Sequence, residues 1–551
     1  MRAMFAAFCL LLGGTALADV DARLEQARAM IEARLAESSR PGVVIGITDG
    51  ERLRQVVVQG YADLKLRTKL NRDSRFAIGS ISKAFTAIAL MQLADEGRFD
   101  PHAPIAHYLP SFKIRSEYPT ISGHDVLSHT AGLPYYLPDT ASSRAVLLSL
   151  QEFTPTYAPG AHFAYSNTGY QLMGYVLEQI EGAQYHTIAE RRVLKPLGMN
   201  ASSAIIDDAQ RGHLVQSYTR WPYDGRYVES TWFEYLAGDG SIVSTVDDMA
   251  AYTRFYVNRG RGAKQRLLSE RSFTALTTPV LDDYAYGLEV HRTQGHTVIS
   301  HGGGIAGFIS YIEAHPDEGF GLVFLSNGGM DKSLRPWVTD LVAAAFAGRP
   351  LPPPPPADRD PLSAPLTDYV GHFVAAGEGG ARALEVRVLH DQLVLEETGE
   401  TRRLQRMGID TFRAEAASGD ADCYIFARAE DKPETAVSGV SHGMHWYTAA
   451  AATAPSPPPP PASYAAYVGH YVNSGPEGPV ARVFVRDGKL FASMYLDAGI
   501  APLPLVRLSE DTFRLAVEDY SPERARFDGI IDGHAQRLMI DGVPLYRLET
   551  P

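Results

Sequence analysis

The chain has 551 residues, a formal net charge of −13, 45% hydrophobic and 21% charged residues. That length predicts two to four domains at about 100–200 residues each, with the composition of a soluble globular protein. The acidic balance, together with the absence of any basic run of five or more residues, argues against a nucleic-acid or anionic-membrane partner.

Residues 1–18 have the layout of a secretory signal. Arg2 supplies a short positive region, Ala3 to Leu12 is apolar, and Ala16-Leu17-Ala18 is a small-x-small cleavage site before Asp19. The expected location is therefore outside the cytoplasm, periplasmic or secreted in a bacterium. The apolar run is too short for a stable bilayer span, so none is expected after cleavage. Only Cys423 would then remain, which excludes an intramolecular disulfide.

From residue 19 to 348 helical and strand-like patterns alternate. Helices are predicted at Ala22–Ser38, Ser80–Glu96, Tyr170–Ile180, Val246–Tyr256 and Pro336–Ala347. Strands are predicted at Gly42–Thr48, Gln55–Gly60, Thr297–Ser300, Phe308–His315 and Phe320–Ser326. Strands at both ends with helices between them predict an α+β domain, an antiparallel sheet flanked by helices. Proline-rich linkers at 349–360 and 451–463 read as extended polyproline spacers.

The linkers set off two tails, 361–450 and 464–551, that repeat one another. Tyr369-Val370-Gly371-His372-Phe373 recurs as Tyr467-Val468-Gly469-His470-Tyr471, an offset of 98 residues. Leu404-Gln405-Arg406 with Asp410-Thr411-Phe412-Arg413 recurs as Leu505-Val506-Arg507 with Asp511-Thr512-Phe513-Arg514, an offset of 101. Alternating segments separated by His390-Asp391-Gln392 and Asp487-Gly488-Lys489 turns predict a small up-and-down β-barrel in each.

Ser80-Ile81-Ser82-Lys83 opens the second predicted helix. Positions i and i+3 share a helix face, so the Lys83 amine can reach the Ser80 hydroxyl. A serine becomes a useful nucleophile when a neighbouring base takes its proton, and lysine can be that base when burial lowers its pKa. Alone, the tetrapeptide also fits a helix cap followed by a solvated lysine. Further segments add to it: Tyr165-Ser166-Asn167 in a loop before a helix, and His301-Gly302-Gly303-Gly304 placed immediately after the strand Val298-Ile299-Ser300. The loop Leu127-Ser128-His129-Thr130-Ala131-Gly132-Leu133-Pro134 and the stretch around Asp239 accompany them.

With these motifs in order, residues 25–345 resemble the serine β-lactamase and penicillin-binding-protein superfamily on its class C side, which includes D-aminopeptidases and esterases. The resemblance rests on S-x-x-K at Ser80, Y-x-N at Tyr165 and H-x-G at His301. It implies a β-lactamase/transpeptidase-like catalytic domain and an acyl-enzyme on Ser80, with Lys83 and Tyr165 as the base pair. A phenolate beside an ammonium is expected to have a lowered pKa, and how the pair divides the proton is left open. Asn167 would orient the substrate or Lys83. His301 and Gly303 would help hold the substrate, and the backbone N–H groups of Ser80 and Gly304 would form the oxyanion hole. His129 is assigned to loop structure and Asp239 is a candidate for shaping the pocket.

The third motif departs from the Lys-Thr-Gly common in β-lactamases and D-Ala-D-Ala carboxypeptidases. Histidine is mostly neutral near pH 7, and the hydroxyl is absent, so affinity for a substrate carboxylate should fall. H-x-G and two C-terminal barrels, lipocalin-like in plan, resemble the D-aminopeptidases. The expected activity is hydrolysis of amides or esters in D-amino-acid-containing peptides, with a small molecule or short peptide as substrate and no cofactor. A β-lactamase, carboxypeptidase or esterase of the same family is the alternative, and a non-enzymatic penicillin or peptidoglycan sensor the non-catalytic one. A homo-oligomer is compatible with either. Gly439-Val440-Ser441-His442-Gly443 matches the nucleophile motif of α/β-hydrolases, but a strand pattern rather than a helix follows it. No close His, Cys, Asp or Glu spacing suggests a metal site.

Overall fold

The computed structural model describes residues 2–137, 143–221, 225–262, 265–356, 362, 364–375, 382–415, 423–431, 435–450, 459–473, 480–494, 501–540 and 542–548, with side chains from Asp19 onward. Parts of both predicted linkers, 357–360 and 451–458, lie outside the described residues. The chain divides into two compact units, the larger drawn from residues up to 358 and the smaller mostly from 359 onward.

In the larger unit, helix α1 (Arg2–Ala36) leads into strands β1 (Gly42–Asp49), β2 (Leu53–Asp63) and β3 (Thr68–Lys69). Helices α2 (Ser82–Asp95), α3 (Asn167–Glu181) and α4 (Val246–Val257) follow, among shorter ones. Strands β4 (Glu289–Thr293), β5 (His296–Ile305), β6 (Phe308–His315) and β7 (Phe320–Ser326) and helix α5 (Leu334–Phe346) complete it. The sheet order is β3-β2-β1-β7-β6-β5-β4, antiparallel throughout. No helix among the described residues is long and apolar enough to cross a membrane.

Alternation along the central strands makes a layered core. Val43, Ile45, Ile47, Phe320, Leu322 and Phe324 point to one face, where Leu24, Ala27, Ile31 and Leu35 of α1 and Trp337, Val338 and Leu341 of α5 cover them. The opposite face takes α4. Gly46 permits that approach, since a Cβ there would lie 2.7 Å from the Val246 side chain. The Trp337 indole donates to the Pro352 carbonyl at 3.1 Å and Leu351 packs on the same core, so the first proline tract starts as part of this unit rather than as a free spacer.

Two expectations need correction. Helix α2 does not begin at Ser80: Gly79–Ile81 form a 3₁₀ turn and the α-helix starts at Ser82. The His301 motif does not follow a strand but is the strand. Strand β5 runs through all the glycines and pairs His301 with Ile312, Gly302 with Tyr311, Gly303 with Ser310 and Gly304 with Ile309. The glycines read as a turn because their intrinsic strand propensity is low, but the ladder to β6 overrides it.

The smaller unit contains two closed eight-stranded barrels whose strands follow chain order, the predicted up-and-down topology. Each repeated motif builds the same bracket. Tyr369 packs on Phe412 at 4.8 Å and donates its hydroxyl to Asp410 at 2.8 Å, with the Arg406 guanidinium over its ring. Tyr467, Phe513, Asp511 and Arg507 repeat this at 5.3 Å and 3.1 Å. The residues repeated between the tails are thus a packing device that fills each barrel with aromatic rings. Arg486 pairs with Asp431 at 2.6 Å and Arg482 donates to the buried free thiol of Cys423 at 3.3 Å, joining one barrel to the other. Ser441 lies inside the barrel strand Val437–His442, so it has no nucleophile-elbow geometry.

Phe412 and Phe513 are fully buried. Phe412→Ala and Phe513→Ala should each cost about 3–5 kcal/mol in urea unfolding followed by circular dichroism. Val517→Ala, at a side chain 74% exposed, should stay within about 0.5 kcal/mol of the parent.

Candidate active site

The 3₁₀ turn places Ser80 against strand β5. Gly79 has φ +50°, and a Cβ on it would lie 2.8 Å from the Gly304 nitrogen. Only glycine tolerates both the left-handed backbone and this contact. On Gly303 a Cβ would stand 2.0 Å from the Ile78 carbonyl, which accepts the Ser310 hydroxyl at 2.8 Å. The glycine run therefore brings the Gly304 backbone beside the turn that carries Ser80. Gly303 is a close-packing position.

Lys83, on the first turn of α2, is fully buried. Its Nζ lies 3.0 Å from Ser80 Oγ, 2.5 Å from Asn167 Oδ1 and 3.1 Å from the Asp239 carbonyl oxygen. The hydroxyl of Thr86, one turn on, donates to the Gly238 carbonyl at 2.6 Å and so fixes the same segment against α2. Burial holds the Lys83 pKa down to about 8, against the opposing pull of the Asp239 charge. Asp239 is itself buried and its carboxylate accepts from Tyr235 Oη at 2.8 and 2.9 Å. Burial pushes its pKa up, and Lys83 draws it back.

Asn167 is the first residue of α3. Ser166 caps that helix by accepting from the Gly169 N–H at 3.0 Å. Tyr165 lies just outside the cap, hydrogen-bonded to Ser80, with Lys83 Nζ 4.9 Å from its ring centre. Its pKa is raised by burial, with the Ser80 hydrogen bond opposing. This reverses the expectation of a lowered phenol pKa: desolvation of a phenolate dominates, and the Asp239 and Glu289 charges add to it.

His301 is held from two sides. It is 3% exposed and both ring nitrogens are engaged inside the protein, Nδ1 with the Gly302 carbonyl at 2.5 Å and Nε2 with Tyr284 Oη at 2.9 Å. Nδ1 then carries the proton and Tyr284 donates to Nε2. Burial and the Lys83 charge push the His301 pKa down to about 3, so the ring is neutral. Sequence reasoning missed Tyr284. The signal was in Tyr284-Ala285-Tyr286-Gly287, because Gly287 has φ +73° and lets its loop lie on the backbone of Lys83 and Ala84. No cluster of three or more His, Cys, Asp or Glu able to hold a metal occurs among the described residues.

A profile of the beta-lactamase family matches residues 27–345. The chain belongs to that family. It is 24% identical over 371 residues to penicillin-binding protein 4* of Bacillus subtilis (strain 168), covering 62% of this chain and 81% of that protein. It is 24% identical over 316 residues to protein Flp of Staphylococcus aureus (strain NCTC 8325 / PS 47), covering 55% of this chain and 63% of that one, so it spans under two thirds of Flp. Among solved structures, the octameric penicillin-binding protein homologue from Pyrococcus abyssi is similar in fold, with a TM-score of 0.53 and 20% identity. That likeness covers 85% of this chain and 98% of the archaeal one. The family is one of serine hydrolases, and the β-lactamase-like unit followed by two barrels is the fold expected of this chain.

Gly303→Ala should drive β5 away from the Ile78 carbonyl and misplace the Gly304 N–H. A shift near 1 Å at such a site costs about 10²-fold, so the labelling rate of Ser80 by a fluorophosphonate should fall by about that factor. Circular dichroism is expected to stay native.

Proposed function

We propose that this chain is an exported serine hydrolase that forms an acyl-enzyme on Ser80 and cleaves amide or ester bonds. The observation that carries the reading is the set of partners around Lys83 Nζ. A neutral amine has two hydrogens and one lone pair. Its surroundings are two carbonyl-type oxygens, from Asn167 and Asp239, and one hydroxyl, from Ser80. With its hydrogens donated to the two oxygens, the lone pair is left for the Ser80 proton. A binding-only protein has no use for a base so matched, which favours the enzyme over a sensor.

In this mechanism Lys83 takes the proton of Ser80 as Oγ attacks the acyl carbon. Backbone N–H groups of Ser80 and Gly304 stabilise the oxyanion, each such donor being worth about 10²–10³-fold. Collapse breaks the bond to the leaving amine or alcohol. Tyr165, kept protonated by burial, donates its proton to that group and regains one from the Lys83 ammonium. Water then enters, gives a proton to Lys83 and releases the acid, with Ser80 reprotonated.

D-Amino-acid-containing peptides or amides are the favoured substrates. The neutral, internally bonded His301 offers no charge for a C-terminal carboxylate, and the two C-terminal barrels match the plan of D-aminopeptidases. Export rests on the Ala16-Leu17-Ala18 cleavage pattern.

Because the neutral amine is the active form, kcat/KM should rise about tenfold per pH unit on the acid side and level off above the Lys83 pKa of about 8. Ser80→Ala should abolish both turnover and fluorophosphonate labelling. A panel of D-alanine amide, p-nitrophenyl acetate and a chromogenic cephalosporin ranks the substrate classes. Cephalosporin turnover far above the other two would overturn the preference for D-aminoacyl substrates.

A further inference from the structure

His129 grips the chain on both sides of Tyr165. Its carbonyl accepts the Ala164 N–H at 2.8 Å, and its Nδ1 accepts the Ser166 N–H at 3.0 Å. Between these two bonds the Tyr165 ring lies 4.2 Å from the imidazole, inclined by 37°. The same imidazole lies 4.7 Å from the ring of Tyr284, which holds His301. His129 is 1% exposed and sits at φ +58°, a left-handed backbone that glycine or asparagine adopts with less strain than histidine.

The protonation state follows from the contacts. Nδ1 accepts a backbone N–H, so the ring proton is on Nε2, which has no hydrogen-bond partner among the described residues. Burial and the neighbouring Lys83 and His301 hold the imidazole neutral. A ring with its lone pair occupied by Ser166 and its N–H among aromatic rings has no free atom with which to act as a base.

We propose that His129 is a positioning residue that fixes the Tyr165 phenol for proton delivery to the leaving group. The inference rests on the acyl-enzyme reading above. It makes a specific demand: an error in Tyr165 placement should matter when the leaving group needs a proton and much less when it does not. An amine expelled from an amide needs protonation, whereas p-nitrophenolate leaves unaided.

The test measures kcat/KM on D-alanine amide and on D-alanine p-nitrophenyl ester for His129→Gly, His129→Asn, Tyr165→Phe and the His129→Gly/Tyr165→Phe double variant. Glycine accepts the backbone angle and removes the acceptor; asparagine accepts the angle and returns an oxygen near the place of Nδ1. His129→Gly should lose about 10²-fold or more on the amide and under about tenfold on the ester, since positioned proton transfer is worth about 10²–10⁴-fold. His129→Asn should recover most of the amide rate. The double variant should be no slower on the amide than Tyr165→Phe alone, because both changes remove one function. Equal losses on the two substrates, or losses that multiply in the double variant, overturn the positioning role. If the glycine variant melts below the assay temperature, both substrates are assayed below its melting temperature and the ratio is read in the same way. Turnover that survives in Ser80→Ala overturns the nucleophile reading itself, a separate failure.

Discussion

Everything in the larger unit that concerns chemistry depends on burying one amine. A fully buried Lys83 loses its hydration, and the fall of its pKa from 10.5 to about 8 corresponds to about 3 kcal/mol against the charged form. The protein could have cancelled that penalty with a carboxylate in direct contact. It uses carbonyl-type oxygens from Asn167 and Asp239 instead, and directs the Asp239 carboxylate to Tyr235. Dipoles hold the amine in place without locking it as an ammonium. Three chain segments distant in sequence, the turn at Ser80, the cap of α3 and the 238–239 stretch, are thereby registered on one nitrogen.

The second constraint is how closely backbones approach. The nucleophile turn, strand β5 and the Gly287 loop meet with almost no side-chain volume between them, because Gly79, Gly303 and Gly287 would each put a Cβ within 3 Å of a neighbouring main-chain atom. Replacing hydrogens by methyl groups there moves elements, not side chains. Ser310 adds a single directed bond that ties β6 to the residue before Gly79. The cost of such glycines is unfolded-state entropy, and the sheet core, with fully buried Ile45, Leu322 and Phe324, offsets it.

What could be read in the sequence was what is local or repeated. Ser80 and Lys83 are close along the chain, β6 and β7 are short runs rich in strand-forming residues that each follow a glycine turn, and the duplicated Tyr, Arg, Asp and Phe anchors announce two equivalent barrels. What escaped depends on contacts far apart in sequence. The glycine run of β5 has no strand propensity of its own and is a strand only because β6 pairs with it. Tyr284 lies outside the three ordered motifs, and its link to His301 exists only once β4 and β5 have placed its loop. The protonation of Tyr165 was misjudged because charge proximity can be guessed from a motif, while desolvation requires the packed environment.

That environment surrounds one titrating base with groups held neutral. His301 and His129 are kept from protonation by burial, and Tyr165 is kept from ionising by the same cause. Near neutral pH none of these rings therefore carries a charge beside Lys83. Of these groups His301, neutral and bonded through both ring nitrogens, adds no charge to the site beside Lys83.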